Sequence, residues 1–161
     1  MAGARSAPTL RYERALLRGG VAVLACIDEA GRGALCGPVS VGVVVVTAES
    51  GPAPRGVRDS KLLTQDRRDE LAPLIRAWAP HAVGMASAAE IDGVGIVPAM
   101  RLAGRRALDA LEIRPDCVLL DGSHDYLSPP AQASLFEGGS DAEVPRVLTR
   151  VKADLHCAAA T

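Results

Sequence analysis

The chain has 161 residues, 48% of them hydrophobic, with a formal net charge of −1, the length and apolar content of one domain around one core. No apolar run reaches the ~20 residues a bilayer span needs, and the N-terminus lacks the apolar stretch of a secretion signal, so a cytoplasmic protein with no membrane partner is expected. Near-neutral charge excludes a whole-molecule field that gathers nucleic acid; a polyanionic partner must be held by local arginines, lysines or metal.

Residues 1–18 read as an N-terminal extension and 19–161 as the domain. Stretches 21–28 and 38–46 are rich in valine and isoleucine, with Gly31, Gly33 and Gly37 between them, which predicts consecutive strands paired antiparallel. Residues 47–58 read as a loop ending at Asp59-Ser60-Lys61. Leu71, Leu74, Ile75 and Trp78 then recur at helical spacing, in a helix that Pro73 would kink or shorten. A third strand is expected over 81–86 and a short helical turn over 88–92. Pro98 suits a first helical position, and Val97, Met100, Ala107, Leu108 and Leu111 line one face of a helix ending near Ile113. Cys117-Val118-Leu119-Leu120-Asp121-Gly122 is an apolar strand that delivers a carboxylate to a glycine turn. Residues 123–145 are dominated by Gly, Pro, Ser and Asp and read as a mobile insertion. A last strand covers 147–152, and Asp154 opens an alanine-rich helix. This order predicts an α/β domain with a mixed sheet flanked by helices.

The chemistry concentrates at Asp28 and Glu29, which end the first strand and run into Gly31-Arg32-Gly33. Adjacent strand residues point to opposite faces, so the two carboxylates share a site only where the backbone turns away, and the glycines supply that turn. Paired acids beside an apolar strand lose solvation and repel each other unless a cation or hydrogen-bond donors compensate. If Asp121 and Asp154 end elements of the same sheet, four carboxylates converge on one edge. That is oxygen enough for two Mg2+ or Mn2+ ions, which can activate water and stabilise a leaving oxygen in phosphodiester hydrolysis. The four cysteines, Cys26, Cys36, Cys117 and Cys157, show no C-x-x-C spacing, so neither a zinc site nor a disulfide framework is expected.

Five blocks together resemble ribonuclease HII, the type-2 ribonuclease H family. They are Ile27-Asp28-Glu29-Ala30-Gly31-Arg32-Gly33 with Gly37-Pro38, Asp59-Ser60-Lys61-Leu62, Ala89-Glu90-Ile91-Asp92 with Arg105-Arg106-Ala107, Val118-Leu119-Leu120-Asp121-Gly122, and Lys152-Ala153-Asp154. The resemblance implies a ribonuclease H-like fold in which Asp28, Glu29, Asp121 and Asp154 are the catalytic, metal-binding carboxylates for Mn2+ or Mg2+. It implies that Gly31, Arg32 and Gly33 recognise the ribonucleotide at an RNA-to-DNA junction and that Lys61 neutralises a backbone phosphate. The implied activity is endonucleolytic cutting of RNA in RNA/DNA hybrids and at ribonucleotides embedded in DNA, by a monomer, leaving 5′-phosphate and 3′-hydroxyl ends.

Two departures bear on that reading. The family usually has Lys-Gly-Asp where this chain has Lys152-Ala153-Asp154, a change tolerable only if position 153 does not need positive φ. The family also continues past this point to a tyrosine that packs on the substrate sugar, a role that Tyr12 and Tyr126 do not match, so a C-terminally truncated chain is expected. A rival reading follows: an inactive fragment that at most binds hybrid, marginally stable because the sheet and the 97–113 helix have lost apolar cover. A different metal-dependent nuclease on the same fold, such as a resolvase, would explain the carboxylates but not Gly31-Arg32-Gly33 or Asp59-Ser60-Lys61. Taken singly the motifs are ordinary. Asp121-Gly122 is a common turn dipeptide, Asp154 suits a helix cap, and His124, His156 and Cys157 carry no assigned chemistry.

Overall fold

The computed structural model describes residues 8–34, 36–128 and 145–160, apart from the side chains of Asp154 and Leu155. Its centre is a five-stranded mixed sheet built from β1 (Val23–Ala30), β2 (Val39–Thr47), β3 (His81–Ala86), β4 (Cys117–Asp121) and β5 (Arg146–Arg150), in the order β3-β2-β1-β4-β5. β1 pairs antiparallel with β2, and β2 with β3, while β1 and β4 run parallel, as do β4 and β5. The helices are α1 (Arg11–Arg18), α2 (Gln65–Trp78), α3 (Ala88–Val94), α4 (Ile96–Asp109) and α5 (Ala153–His156).

Period-two alternation sorts the strand residues between two cores. Ala25 and Ile27 of β1, Val39, Val41, Val43 and Val45 of β2, and Val118 and Leu120 of β4 face α4, whose Ala99, Met100, Ala103 and Ala107 are buried against them. The uncovered face expected on this helix is therefore not seen, although Val83 and Met85 on the outer side of β3 are exposed. Small residues set how close α4 lies. A Cβ on Gly84 of β3 would run into the Ala103 carbonyl oxygen and the Ala107 amide, so helix and strand touch backbone to backbone. The salt bridge of Arg106 to Glu90 at 2.7 Å ties α3 to α4, and the same guanidinium donates to the Met85 carbonyl at 2.7 Å. This pairing holds the Glu90 carboxyl down to about 2.

Leu24 and Cys26 of β1, Val46 of β2, and Cys117 and Leu119 of β4 form the second core with α5 and Ala158, Ala159 and Ala160, against which Leu16, Leu17 and Trp78 pack. α1 lies in the stretch read as an extension, yet it is part of this layer. Thr9 forms a parallel bridge with Cys157, and the Arg150 guanidinium lies 3.8 Å from the centre of the Tyr12 ring. Glu13 is fully buried here. One of its oxygens accepts from the Ala159 amide at 3.0 Å, and the other has no hydrogen-bond partner among the described residues. Burial pushes this carboxyl above its ordinary value, against the pull of the Ala159 amide and Arg150.

The strands and the helices expected at 71–78, 88–92 and 97–113 are present, although α4 begins at Ile96, which makes Pro98 its third residue, and ends at Asp109, short of Ile113; Pro73 lies within α2 without ending it. Two segments differ from expectation. Tyr126 and Leu127, in the stretch read as a mobile insertion, are buried in the first core, while residues 129–144 of that stretch lie outside the described residues. The closing helix starts at Ala153 and stops at His156; Cys157 then bridges to Thr9, and Ala158, Ala159 and Ala160 are buried in the second core.

Two outcomes are expected in urea melts. Gly84→Ala should cost about 1–3 kcal/mol through overpacking against α4, whereas Gly42→Ala, with nothing within 4 Å of the added Cβ, should stay within about 0.5 kcal/mol of the parent. The folded state holds the Glu13 proton to higher pH than the unfolded chain does, so this group's contribution to stability falls as pH rises above 4.5 through its raised folded value. Glu13→Gln should therefore be more stable than the parent at neutral pH, with the gap closing as pH drops toward 4.

Candidate active site

β1 and β4 pair in parallel with Ile27 opposite Leu120, and each strand continues by one residue into an aspartate. Asp28 and Asp121 thus stand side by side just past the end of this ladder, although β1 itself runs on through Glu29 to Ala30; the turn expected at the two acids comes only at Gly31, and Glu29 keeps to the opposite face. Alternation carries both onto the second-core face, where Leu24, Cys26 and Leu119 precede them, and carries Glu29 onto the α4 face after Ile27. All three carboxylates are half-buried, at the edge where apolar strand gives way to loop.

Backbone groups fix the two aspartates. Asp28 Oδ1 accepts from the Glu29 amide at 2.8 Å, and Asp121 Oδ1 accepts from the Ala153 amide at 2.6 Å. The second bond docks the start of α5 on the end of β4, so the backbone of residue 154 follows directly beside Asp121. The Asp154 carboxylate lies outside the described residues. The positive φ needed for this turn falls on Lys152, at 60°, and position 153 is helical, which is why alanine is accommodated there.

The loop leaving β1 is shaped by Gly31, with φ of +91°, where a Cβ would lie 2.7 Å from the Pro38 carbonyl oxygen. No other residue type fits that approach without displacing Pro38. Gly31, Arg32 and Gly33 are exposed, and the Arg32 guanidinium reaches back to Glu29 Oε1 at 3.2 Å. Lys61 stands apart in sequence, in the 3-10 turn Ser60–Leu62 between β2 and α2. Asp59 caps that turn, taking the Lys61 amide at 3.2 Å on one oxygen and the Lys61 ammonium at 3.3 Å on the other. The Lys61 side chain is 75% exposed.

Sequence reasoning did not single out Tyr126. It follows β4 by five positions, is 2% exposed, and its hydroxyl is buried without a hydrogen-bond partner among the described residues. Burial pushes its phenol up, as do the carboxylates of Glu29, Asp28 and Asp121, while Arg32 opposes them. The stretch's Gly, Pro, Ser and Asp content masked it. The only sequence signal was a Tyr-Leu pair amid polar residues.

Among the described residues, no three His, Cys, Asp or Glu side chains are gathered into a metal-holding group. The donors present are all carboxylate oxygens on half-buried strand ends, the hard ligand type that Mg2+ and Mn2+ take while retaining waters. In ligand chemistry Asp28, Glu29 and Asp121 suit such ions, although among the described residues their side chains are not gathered into one group.

The family model for ribonuclease HII matches residues 25–159. Ribonuclease HII of Streptomyces griseus is 44% identical over 151 residues, 92% of this chain and 63% of that protein. The Streptomyces avermitilis enzyme is 50% identical over 125 residues, 76% of this chain and 53% of that protein. The chain thus spans between about half and two thirds of the length of these relatives. Among solved structures, ribonuclease H2 from Pyrococcus horikoshii is similar with a TM-score of 0.59 and 28% identity, covering 85% of this chain and 68% of that one. Bst-RNase HIII in complex with Mn2+ shares the fold at a TM-score of 0.58 and 24% identity, over 86% of this chain and 49% of that one.

Because the Arg32 side chain is 53% exposed, its pair with Glu29 is screened by water and contributes little to folding. Arg32→Gln is expected to shift the unfolding free energy by less than about 1 kcal/mol in denaturant melts. A larger loss would mean that the pair, and not Gly31, sets the loop.

Proposed function

The chain belongs to the ribonuclease HII family, and from that premise we propose that it hydrolyses the RNA strand of RNA/DNA hybrids and cuts at single ribonucleotides within duplex DNA. The observation that carries the reading is the in-register parallel pairing of β1 with β4, which sets Asp28 beside Asp121 with Glu29 next in line. An acidic cluster has no use for a polyanionic substrate unless cations stand between them. Two divalent ions held by Asp28, Glu29, Asp121 and Asp154 would supply water activation and charge stabilisation at the leaving oxygen.

The chain's own groups provide the rest. The backbone of Gly31 and Gly33 can approach a sugar closely enough to meet a 2′-hydroxyl, which donates and accepts and so separates RNA from DNA. Arg32 and Lys61 hold phosphates and thereby set the register of the strand. Arg32 has a second part: its guanidinium on Glu29 partly neutralises that carboxylate, and a phosphate arriving in the loop competes for the same guanidinium. Asp121 keeps one oxygen on the Ala153 amide, which restricts how its carboxylate turns toward the site. The proposed products carry 5′-phosphate and 3′-hydroxyl ends.

The test is incubation of the chain with a duplex containing one ribonucleotide, with Mn2+ or Mg2+ and with EDTA. Nicking at the ribonucleotide that requires metal is expected. Asp28→Asn should reduce the rate at least about 10³-fold, in line with loss of a metal ligand to the reacting phosphate, while hybrid binding by gel shift persists. Absence of metal-dependent nicking by the parent chain, or undiminished cutting by Asp28→Asn, overturns the proposal.

A further inference from the structure

Tyr126 is held with unusual firmness for a residue in a polar stretch. Its carbonyl accepts from Arg101 Nε of α4 at 3.0 Å, and Asp125 Oδ1 takes the amides of Leu127 at 2.9 Å and Ser128 at 3.0 Å. Gly104 of α4 makes room for it: a Cβ there would collide with the Leu127 side chain and come within 3.8 Å of the Tyr126 ring. The ring belongs to the same buried cluster as Ile27 and Leu120, the residues immediately before Asp28 and Asp121. Along β1 the alternation that puts Ile27 on this face puts Glu29 there too. A hydroxyl locked in this position with no hydrogen-bond partner among the described residues is an unfavourable arrangement. An unmade buried hydrogen bond leaves a desolvated donor uncompensated, and phenylalanine would fill the space without it.

We propose that Tyr126 is a positioning residue of the carboxylate site: its hydroxyl donates to the Glu29 carboxylate when a divalent cation draws Glu29 away from Arg32, and so fixes the orientation in which Glu29 meets the ion. This rests on the reading of Asp28, Glu29 and Asp121 as metal ligands. Glu29 has two oxygens, and one of them faces Arg32 in this structure. Rotation toward the sheet edge exchanges an exposed, screened guanidinium for a buried phenol. A hydroxyl donor orients a carboxylate without adding charge of its own.

Mn2+ binding measured by calorimetry separates this role from packing. Tyr126→Phe should bind Mn2+ about tenfold more weakly or worse, the usual scale for loss of a hydrogen bond to a metal ligand, and should melt no lower than the parent without metal. Mn2+ binding equal to the parent's overturns the proposal. Should the phenylalanine variant fail to fold, Tyr12→Phe leaves Tyr126 as the one tyrosine of the two in the chain. Its ultraviolet difference spectrum on adding Mg2+ should then show the red shift of a donating phenol, lost in a further Glu29→Gln change. No spectral response, or one that survives Glu29→Gln, overturns the assignment. Asp28→Asn distinguishes the two levels. If it binds Mn2+ as the parent does, the carboxylate site itself is wrong; if it loses Mn2+ while Tyr126→Phe keeps it, only the role of Tyr126 falls.

Discussion

The parallel pairing of β1 with β4 is the contact on which the site depends, because it alone joins two carboxylates 93 positions apart (121 minus 28). Parallel strands need a crossover, and here α2, β3, α3 and α4 all intervene before the chain returns beside β1. Register then decides everything. With side chains alternating at every residue, a shift by one would turn Asp121 to the α4 face, away from Asp28. Ile27 opposite Leu120, each packed in the first core, resists that shift, since moving a Leu or Ile side chain from core to water costs about 1.5–3 kcal/mol. The apolar residues before each aspartate therefore do the aiming.

The two faces of the sheet contribute unequally. The α4 face is a conventional apolar core, with helix and strand brought to backbone contact by Gly84. The other face is assembled from short pieces: an eight-residue helix, a single turn of helix at 153–156 and flat-lying alanines. It also holds Glu13, a buried carboxylate with half of its hydrogen-bonding capacity unused among the described residues. Asp28 and Asp121 belong to this second face. Asp28 and Asp121 thus rise from the layer with fewer large side chains, while Glu29 alternates to the α4 face, in whose core Tyr126 is buried.

Strands and helices with strong apolar periodicity were legible in the sequence. The valine runs of β1 and β2, the Val97–Leu111 face of α4, and the apolar runs ending in Asp28 and Asp121 all carry period-two or helical patterns that tertiary packing reinforces. What escaped was structure whose cause lies elsewhere in the chain. α1 carries three arginines among its eight residues, and its apolar Tyr12, Leu16 and Leu17, with Leu10 just before it, pack on the second face of the sheet. Tyr126 and Leu127 are surrounded in sequence by turn-formers and are buried only because Gly104 leaves space on a helix some twenty residues earlier. Position 153 accepts alanine because the left-handed turn has moved to Lys152, which local propensity does not foretell, since lysine avoids that conformation. Of the candidate site, the neighbouring positions of Asp28 and Asp121 follow from the apolar runs that precede them, whereas the burial of Tyr126 has no counterpart in its own stretch of sequence.

The bond from the Ala153 amide to Asp121 gives that aspartate two masters. The same oxygen that orients the acid also anchors the following turn, so trimming the side chain to alanine unclasps the end of the chain and disarms the chemistry in one stroke. An asparagine keeps an acceptor oxygen and can leave the clasp shut. A dead Asp121→Ala variant accordingly speaks about both reactivity and fold until its fold has been verified.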